Sequence, residues 1–463
     1  MGNWFAYTML GVWPIVAIWL YRTKSVTKAT LWTILGGHMF LPVGVQIDLP
    51  MIPPLEKVSI PAISALVCCW LVARKRVFTL GKNALVRWLI FISIASPFVT
   101  AQLNNYTMII GDHRIPPMEY YDALSMVTNQ LIVMIPFFLG RQLFRSYEEH
   151  LLMFRVIIVA GLFYSLLELF EVRMSPQLHT WIYGYFPHSF AQQIRFGGFR
   201  PVVFMGHGLL VSFFTAITVM AAAALWQLKI RVRQFSPSCV TYYLLLVLVL
   251  CKTVASIMYG FSGLLLIKFA SLKNQLRVAR ILVLIALLYP VLSIMDLVPY
   301  QTLNNVAMSI DKERGQSLTF RFENEKILLD RVQKHIFFGL GGWGRNRIYD
   351  EEGRDISVTD GLWIITLGQF GMVGFFAQFG LLAAPVFLGM AAFKQIKIWK
   401  EKVLLCSHVL LIGIIMLDQL PNASLAPWLW LLTGILLGRA EAILETHKNR
   451  RITKVAYEEI TQS

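Results

Sequence analysis

Apolar stretches long enough to cross a membrane as a helix, about 17 to 25 residues each, recur along almost the whole chain. Inside a bilayer no water is available to satisfy an open backbone, so such stretches must be helical. Only 15% of the 463 residues are charged, well below the roughly one quarter typical of soluble domains. These features predict an all-α polytopic membrane protein in which residues 1–463 form a single integral membrane domain.

Thirteen candidate spans fit the apolar runs. They cover roughly 4–21, 28–46, 58–74, 87–103, 120–139, 150–170, 202–227, 239–253, 255–270, 280–299, 361–391, 403–419 and 424–439. The block 239–270 is interrupted at Lys252, Thr253 and Ser256, and is interpreted as two short spans that meet at an outer turn. Counting it as one or two spans gives about 12–13 transmembrane helices. A break or close helix packing is predicted within 361–391 from Gly361, Gly368, Gly371, Gly374 and Gly380.

The net charge of +16 falls mainly in alternate short loops, which is the positive-inside pattern of membrane proteins. The excess is therefore interpreted as topological, and nucleic acid is not an expected partner. The pattern places the N-terminus outside and a basic tail, 440–463, in the cytoplasm. The loops predicted to lie outside are 47–57, 104–119, 171–201, 300–360 and 420–423.

Common cofactor and metal motifs are missing from the sequence. The five cysteines have no paired C-x-x-C spacing, so no disulfide framework or zinc site is predicted. Residues 339–344 match G-x-G-x-x-G, but the match is interpreted as accidental because the strand and helix of a dinucleotide fold are lacking. No cytoplasmic loop carries a D-x-D that could hold a metal and a nucleotide-sugar. No cofactor and no metal are expected.

The two long outer loops differ in character. Loop 171–201 is aromatic and mildly basic, as expected of an interfacial belt or, alternatively, a sugar-binding platform. Loop 300–360 carries nine Lys and Arg and ten Asp and Glu residues. Apolar residues recur at helical spacing over 319–337. This loop is therefore predicted to carry an amphipathic helix on the outer surface.

Arginines and carboxylates gather in these loops. The arginine fork suits phosphate oxygens, and outside the membrane the fitting phosphate-bearing substrate is a lipid-linked diphosphate. From charge pattern alone, a solvated, salt-bridged loop is the alternative. The residues concerned are Arg195, Arg200, Arg314, Arg321, Glu323, Glu325, Arg331, His335, Arg345, Arg347 and Asp360.

Two segments resemble the superfamily of O-antigen ligases and Wzy-type O-antigen polymerases. Residues 195–201, Arg-Phe-Gly-Gly-Phe-Arg-Pro, resemble the segment that enters a central helix of that family. Residues 321–344, with Arg321 and Glu325 before Phe-Gly-Leu-Gly-Gly-Trp-Gly, are similar to its large periplasmic loop, and 360–374 to the helix that follows. Many ligases carry a histidine where this chain has Asp360, which departs from the ligase pattern.

The resemblance implies a metal-independent glycosyltransferase of the bacterial inner membrane. Such an enzyme transfers a glycan from undecaprenyl diphosphate to a hydroxyl of a polysaccharide or lipid acceptor at the periplasmic face. Its implied partners are membrane lipid, the carrier-linked oligosaccharide, and a chain-length regulator or other polysaccharide-assembly proteins. The implied diphosphate ligands are Arg195, Arg200, Arg321 and Arg331, and the candidate general bases are Asp360, Glu325 and His207.

Other functions stay open at this point. A transporter of polysaccharide or lipid-linked oligosaccharide should carry charges at mid-membrane depth and an internal repeat, and neither is clear in the sequence. A non-catalytic subunit of an exopolysaccharide synthesis complex is the other alternative. Asp360 and Glu325 are alternatively helix caps or ion-pair partners, and His207 a buried, hydrogen-bonded histidine.

Overall fold

The computed structural model describes residues 2–49, 52–75, 77, 80–110, 113–310 and 312–462, without the side chains of 52, 113, 310, 312–314, 317 and 450–462. The helices are α1 (Trp4–Thr23), α2 (Val26–Phe40), α3 (Ser59–Leu71), α4 (Ala84–Leu103), α5 (Tyr120–Leu143), α6 (Tyr147–Met174), α7 (Leu178–Tyr183), α8 (Gly208–Gln227), α9 (Pro237–Leu250), α10 (Val254–Phe269), α11 (Leu272–Ile294), α12 (Tyr300–Ile310), α13 (Lys312–Val332), α14 (Leu362–Phe393), α15 (Trp399–Asp418) and α16 (Pro427–Gln462). Three antiparallel hairpins lie in the loops: β1 (Gln46–Leu49) with β2 (Ile52–Glu56), β3 (Met108–Ile110) with β4 (His113–Ile115), and β5 (Ile194–Arg195) with β6 (Gly198–Phe199).

Each of the thirteen predicted spans coincides with a helix. Within the described residues, eight helices are long and apolar enough to cross a membrane, namely α1, α4, α5, α6, α8, α11, α14 and the first part of α16. The other predicted spans are the shorter helices α2, α3, α9 and α10, and α15, which has charged residues near both ends. The chain is therefore an all-α polytopic membrane protein. Helix α16 continues through the predicted tail, whose side chains from residue 450 onward lie outside the described part.

The block 239–270 divides into two helices, as the sequence indicated. Helix α9 ends at Leu250 and α10 begins at Val254, and Lys252 between them has φ of 54°. The Lys252 ammonium donates a hydrogen bond to the Phe196 carbonyl at 3.3 Å. The turn between α9 and α10 therefore meets loop 171–201, at the end of the bundle where that loop lies.

Helix α14 is broken at Gly371, which has φ of 66° and ψ of −168°. The Leu340 N–H donates to the Gly368 carbonyl at 2.8 Å beside this break. A Cβ at position 371 would lie 2.2 Å from the Phe337 carbonyl carbon, so only glycine permits this approach. Residues 339–344 thus pack into a broken helix, which gives the G-x-G-x-x-G match a structural reason.

Helices pack closely in the bundle where small residues meet. Helix α16 lies against α5, where a Cβ at Gly434 would come 2.0 Å from the Phe137 carbonyl oxygen. Small residues allow such contact between membrane helices. Helix α8 is the most buried span, with 89% of its apolar window inside the protein. The centre of the helical bundle is therefore closely packed.

Loop 300–360 contains the predicted helix. Helices α12 and α13 form a hairpin, and a 3-10 turn follows α13 at residues 333–335. Leu328 and Val332 are buried, whereas Phe320 and Ile327 are 52% and 51% exposed. The predicted helix is confirmed, but its apolar face is covered by protein only near its C-terminal end.

Candidate functional site

Arg321 and Asp360 form an ion pair between α13 and the residue that precedes Gly361 at the start of α14. The Arg321 Nε lies 3.2 Å from Asp360 Oδ2, and Arg321 Nη1 donates to the Pro421 carbonyl at 3.2 Å. Among the described residues, Arg321 Nη2 has neither a hydrogen-bond nor an ion-pair partner. The guanidinium therefore joins α13, the residue before Gly361 and the turn after α15, and keeps one N–H edge open.

Glu325 lies one turn after Arg321 on α13. The Tyr289 hydroxyl of α11 donates to Glu325 Oε2 at 2.8 Å, and the Trp363 ring stands edge-on to Tyr289 at 5.1 Å between centroids. Burial raises the pKa of Glu325 to about 7, although Tyr289, Trp363 and the Arg321 charge each lower it. A carboxyl group with this pKa exchanges its proton near neutral pH, as general-base catalysis requires.

The contacts of Asp360 and Glu325 distinguish a helix cap from an ion-pair partner. Gly361, rather than Asp360, is the N-cap of α14, and no side chain caps that helix. The cap alternative is therefore wrong for Asp360, and its ion-pair alternative is confirmed. Glu325 lies inside α13, where it accepts a hydrogen bond from a tyrosine.

Asp418, at the C-terminus of α15, was not predicted as a site residue. Its carboxylate is buried and accepts hydrogen bonds from Asn422 Nδ2 at 2.8 Å and from the Ser424 hydroxyl at 2.7 Å. These bonds shape the turn that presents the Pro421 carbonyl to Arg321. The feature of the sequence that could have indicated Asp418 is a carboxylate at the end of an apolar run.

Arg200 is buried beside the start of α8. Its side chain covers Gly208 so closely that a Cβ there would lie 2.2 Å from Arg200 Cδ. The Arg200 Nε is buried and has no hydrogen-bond partner, whereas Arg195, on the β5–β6 hairpin, is exposed. Burial and the charge of Arg195 lower the pKa of Arg200 to about 10. A buried cation with an unsatisfied N–H is suited to an anionic ligand.

His207 is the N-cap of α8. Its Nδ1 accepts a hydrogen bond from the Leu209 N–H at 3.0 Å, and its ring centroid lies 4.7 Å from that of His188. Burial, with the charges of His188 and Arg200, lowers the pKa of His207 to about 4. Such an imidazole is a weak base, and its contacts match the alternative of a hydrogen-bonded structural histidine.

Arg331 lies at the end of α13 among other cations. Its Nε and Nη2 are buried without a partner. Burial and the charges of Arg331, Arg345 and Lys334 lower the pKa of His335. Arg345 has a structural role, since its Nη1 donates to the carbonyls of Tyr106 at 3.1 Å and Pro116 at 2.8 Å. Arg331 therefore has two N–H groups without a partner, and Arg345 has one, at Nη2.

The seven predicted site residues form three groups. Arg321, Glu325 and Asp360 are brought together, and so are Arg195, Arg200 and His207. Within the described part of the chain, no hydrogen bond or ion pair joins these groups to each other or to Arg331. Arg331 follows Arg321 by ten residues on α13, or roughly 15 Å along the helix axis. The two arginines are therefore separate positions along α13.

A cavity of about 390 Å³ lies on the other side of α14, between that helix, α4, α5 and α16. Its lining contains amide side chains inside predicted spans, which the sequence analysis did not use although buried polar residues in spans commonly mark function. The polar and aromatic lining residues include Ser96, Asn129, Gln130, Trp343, Gln378 and Trp430.

Among the described residues, no group of three or more His, Cys, Asp or Glu is arranged to hold a metal ion. No protein-family model matches the chain, and no curated protein matches it. The fold and the site therefore define a multi-pass membrane protein with an Arg321–Asp360 ion pair, and a second carboxylate, Glu325, close enough to feel its charges, at the end of the bundle that carries loop 300–360.

Proposed function

We propose that this protein is a metal-independent glycosyltransferase of bacterial surface-polysaccharide synthesis, a polymerase or a ligase of the inner (cytoplasmic) membrane. Its donor is a glycan linked to undecaprenyl diphosphate. The observation that carries the proposal is the grouping of Arg321, Glu325 and Asp360, in which an open guanidinium edge stands near a carboxyl group whose pKa is about 7. The resemblance of residues 195–201 and 321–344 to the ligase and polymerase superfamily supports it.

The reaction forms one bond and breaks one. The acceptor oxygen bonds to the anomeric carbon while the bond from that carbon to the diphosphate oxygen breaks, and its electron pair leaves with the diphosphate. The hydroxyl proton passes to Glu325, which Tyr289 holds in position. Negative charge grows on the diphosphate during the reaction, so the open edge of Arg321 stabilises the transition state more than the bound substrate. Asp360 positions Arg321.

Arg321 is preferred over the other arginines for the leaving group because a carboxylate suited to general-base catalysis lies beside it. Arg200 and Arg331 have buried N–H groups without partners. In this proposal they bind other anionic groups of the donor or the acceptor, since charge-assisted hydrogen bonds to oxygen anions are strong.

The test is transfer by purified protein in nanodiscs, with carrier-linked oligosaccharide from the host and a metal chelator, followed by mass spectrometry of the products. Arg321→Lys should lower transfer at least about tenfold, because a lysine cannot make the forked contact of a guanidinium. Arg354→Lys is the matched control: Arg354 is 73% exposed and pairs with Asp350 and Glu352, so transfer should stay within about twofold. Equal effects of the two substitutions would contradict the role of Arg321.

Other outcomes point to the alternative functions. Movement of the lipid-linked oligosaccharide across the bilayer without a new glycosidic bond indicates a transporter. Product that forms only when other assembly proteins are added indicates a non-catalytic subunit. In a deletion strain, single repeats on the carrier indicate a polymerase, and intact unattached chains indicate a ligase.

A further inference from the structure

The cavity beside α14 is neutral throughout its described lining. None of its lining residues is Asp, Glu, Lys, Arg or His. A charged ligand would therefore lose its hydration without gaining a counter-charge, which is costly. The volume of about 390 Å³ falls within the range of roughly 300 to 1,000 Å³ that ligand pockets occupy. The occupant should be an uncharged molecule.

Polar groups in the lining make a lipid tail a poor occupant. Ser96 and Trp430 are each 2% exposed, and both the Ser96 hydroxyl and the Trp430 indole N–H have no hydrogen-bond partner. These two atoms are shielded from the cavity and do not indicate its occupant. The amide side chains of Asn129, Gln130 and Gln378 do line it, and a hydrocarbon occupant would leave their polar groups unpaired, at a cost of about 1–3 kcal/mol each.

Amide side chains in the lining match hydroxyl groups. The Thr366 hydroxyl donates to Gln378 Oε1 at 3.0 Å across the break in α14, which leaves Gln378 Nε2 without a partner among the described residues. Asn129 and Gln130 supply further amides from α5. An amide both donates and accepts hydrogen bonds, as a hydroxyl does, so several amides around one cavity suit a polyhydroxylated ligand.

An aromatic surface stands beside these amides. Trp343 lines the cavity and is 56% exposed. Trp343 belongs to the glycine-rich segment that packs into the break of α14, and Arg345 follows it by two residues. A ring with one apolar face and nearby amides suits a sugar, which also has apolar C–H faces and hydroxyl edges.

We propose that this cavity binds uncharged sugar rings of the acceptor glycan. The proposal rests on the proposed function, because it names the part of the substrate that the arginine groups do not recognise. The two kinds of substrate group then bind at separate sites. The charged groups of α13 bind diphosphate on one side of α14, and the amides bind sugar on the other side.

Saturation-transfer NMR on the protein in nanodiscs tests the cavity directly. The probe is the oligosaccharide repeat released by mild acid from the carrier lipid of the host, which no longer carries phosphate. Its saturation transfer should fall at least about fivefold in Gln378→Leu. In Gln395→Leu, a glutamine just after the far end of α14 and outside the cavity, it should stay within about 1.5-fold.

A second variant controls for the possibility that Gln378→Leu misfolds. Thr366→Val removes the hydrogen bond that orients Gln378 and keeps the side-chain volume, so the signal should fall about two- to threefold. The absence of saturation transfer to wild-type protein, or an unchanged signal in both Gln378→Leu and Thr366→Val, would overturn the proposal. Displacement of the saccharide by undecaprenol would overturn it as well, because the cavity would then hold lipid.

Failure of this proposal can be distinguished from failure of the proposed function. Arg321→Lys should abolish most transfer but leave saccharide binding within about twofold, because Arg321 does not line the cavity. A wild-type protein that binds saccharide through Gln378 but forms no glycosidic bond would refute the transferase and retain the sugar site. Transfer that survives in Gln378→Leu at full rate would refute the sugar site and retain the transferase.

Discussion

Glu325 and Asp360 are both carboxylates near Arg321, yet their neighbours give them different chemistry. Asp360 is paired with the guanidinium at 3.2 Å, a contact that orients the Arg321 side chain. Glu325 is held by the Tyr289 hydroxyl in a partly buried position, where desolvation favours the protonated form. We therefore assign proton transfer to Glu325 and positioning of Arg321 to Asp360.

Glu325→Gln should lower turnover by roughly 10²–10⁴-fold, the loss typical of a missing general base. The wild-type rate should rise with pH through about 7, as Glu325 loses its proton, and the residual rate of the variant should lack this step. Transfer rates between pH 5 and 9 provide the measurement. Asp360→Asn should weaken donor binding more than it changes this pH profile, and a lost step in that variant would reassign the base to Asp360.

Glu325→Gln should also stabilise the protein at high pH. Because the folded pKa of about 7 exceeds the ordinary value of 4.5, the stability that the proton supplies is complete below pH 4.5 and is lost as the pH rises through about 7. The variant should therefore gain roughly 1–3 kcal/mol at pH 8 and almost nothing at pH 4.5. Thermal unfolding at the two pH values measures the gain, and the exposed neighbour Glu323→Gln should show none.

At the scale of elements, the break in α14 organises the site. The N-terminal half of the helix separates Glu325, beside Trp363, from the cavity lined by Thr366 and Gln378. Residues 336–341 form backbone hydrogen bonds with α14 at the Gly371 break, including Met372 N–H to the Ile336 carbonyl at 2.8 Å. A single glycine conformation thus holds the end of loop 300–360 against the span that follows it.

Gly371→Ala should destabilise the protein by more than about 2 kcal/mol, because alanine resists positive φ and its Cβ would meet the Phe337 backbone at 2.2 Å. Thermal unfolding in detergent and the yield of monodisperse protein measure the loss. Gly11→Ala is the control, since a Cβ at that helical position meets nothing within 4 Å. Equal stability of the two variants would mean that the break tolerates a side chain.

At the scale of the whole molecule, contacts join segments that the charge pattern assigns to the same side. Arg321 of loop 300–360 contacts Pro421, and Lys252 contacts Phe196. At the opposite end, three ion pairs join segments assigned to the cytoplasm: Arg141 with Glu441, Arg145 with Glu445, and Arg439 with Glu401. The fold is therefore consistent with the predicted alternation of loops.

Loop 300–360 should be extracytoplasmic. In a Cys239→Ser background, which removes the exposed native cysteine, Ser357→Cys should react with an impermeant thiol reagent in intact spheroplasts. Ser236→Cys, in an exposed turn on the predicted cytoplasmic side, should react only after lysis. Reaction in the reverse order would invert the topology, and with it the side on which Arg321 and Glu325 lie.

The sequence by itself determined the membrane class and the helical spans, because hydrocarbon leaves a backbone no partner but its own helix. It indicated a turn near Lys252, and either a break or close packing among the glycines of 361–391. It also identified Arg321, Glu325 and Asp360 by residue type. Only the tertiary structure decided that Asp360 neutralises Arg321, that Tyr289, 36 residues away, holds Glu325, and that amides of α5 and α14 face one cavity. Such pairings depend on how helices pack against one another, and the hydrophobic periodicity of one span does not indicate which helices pack against it.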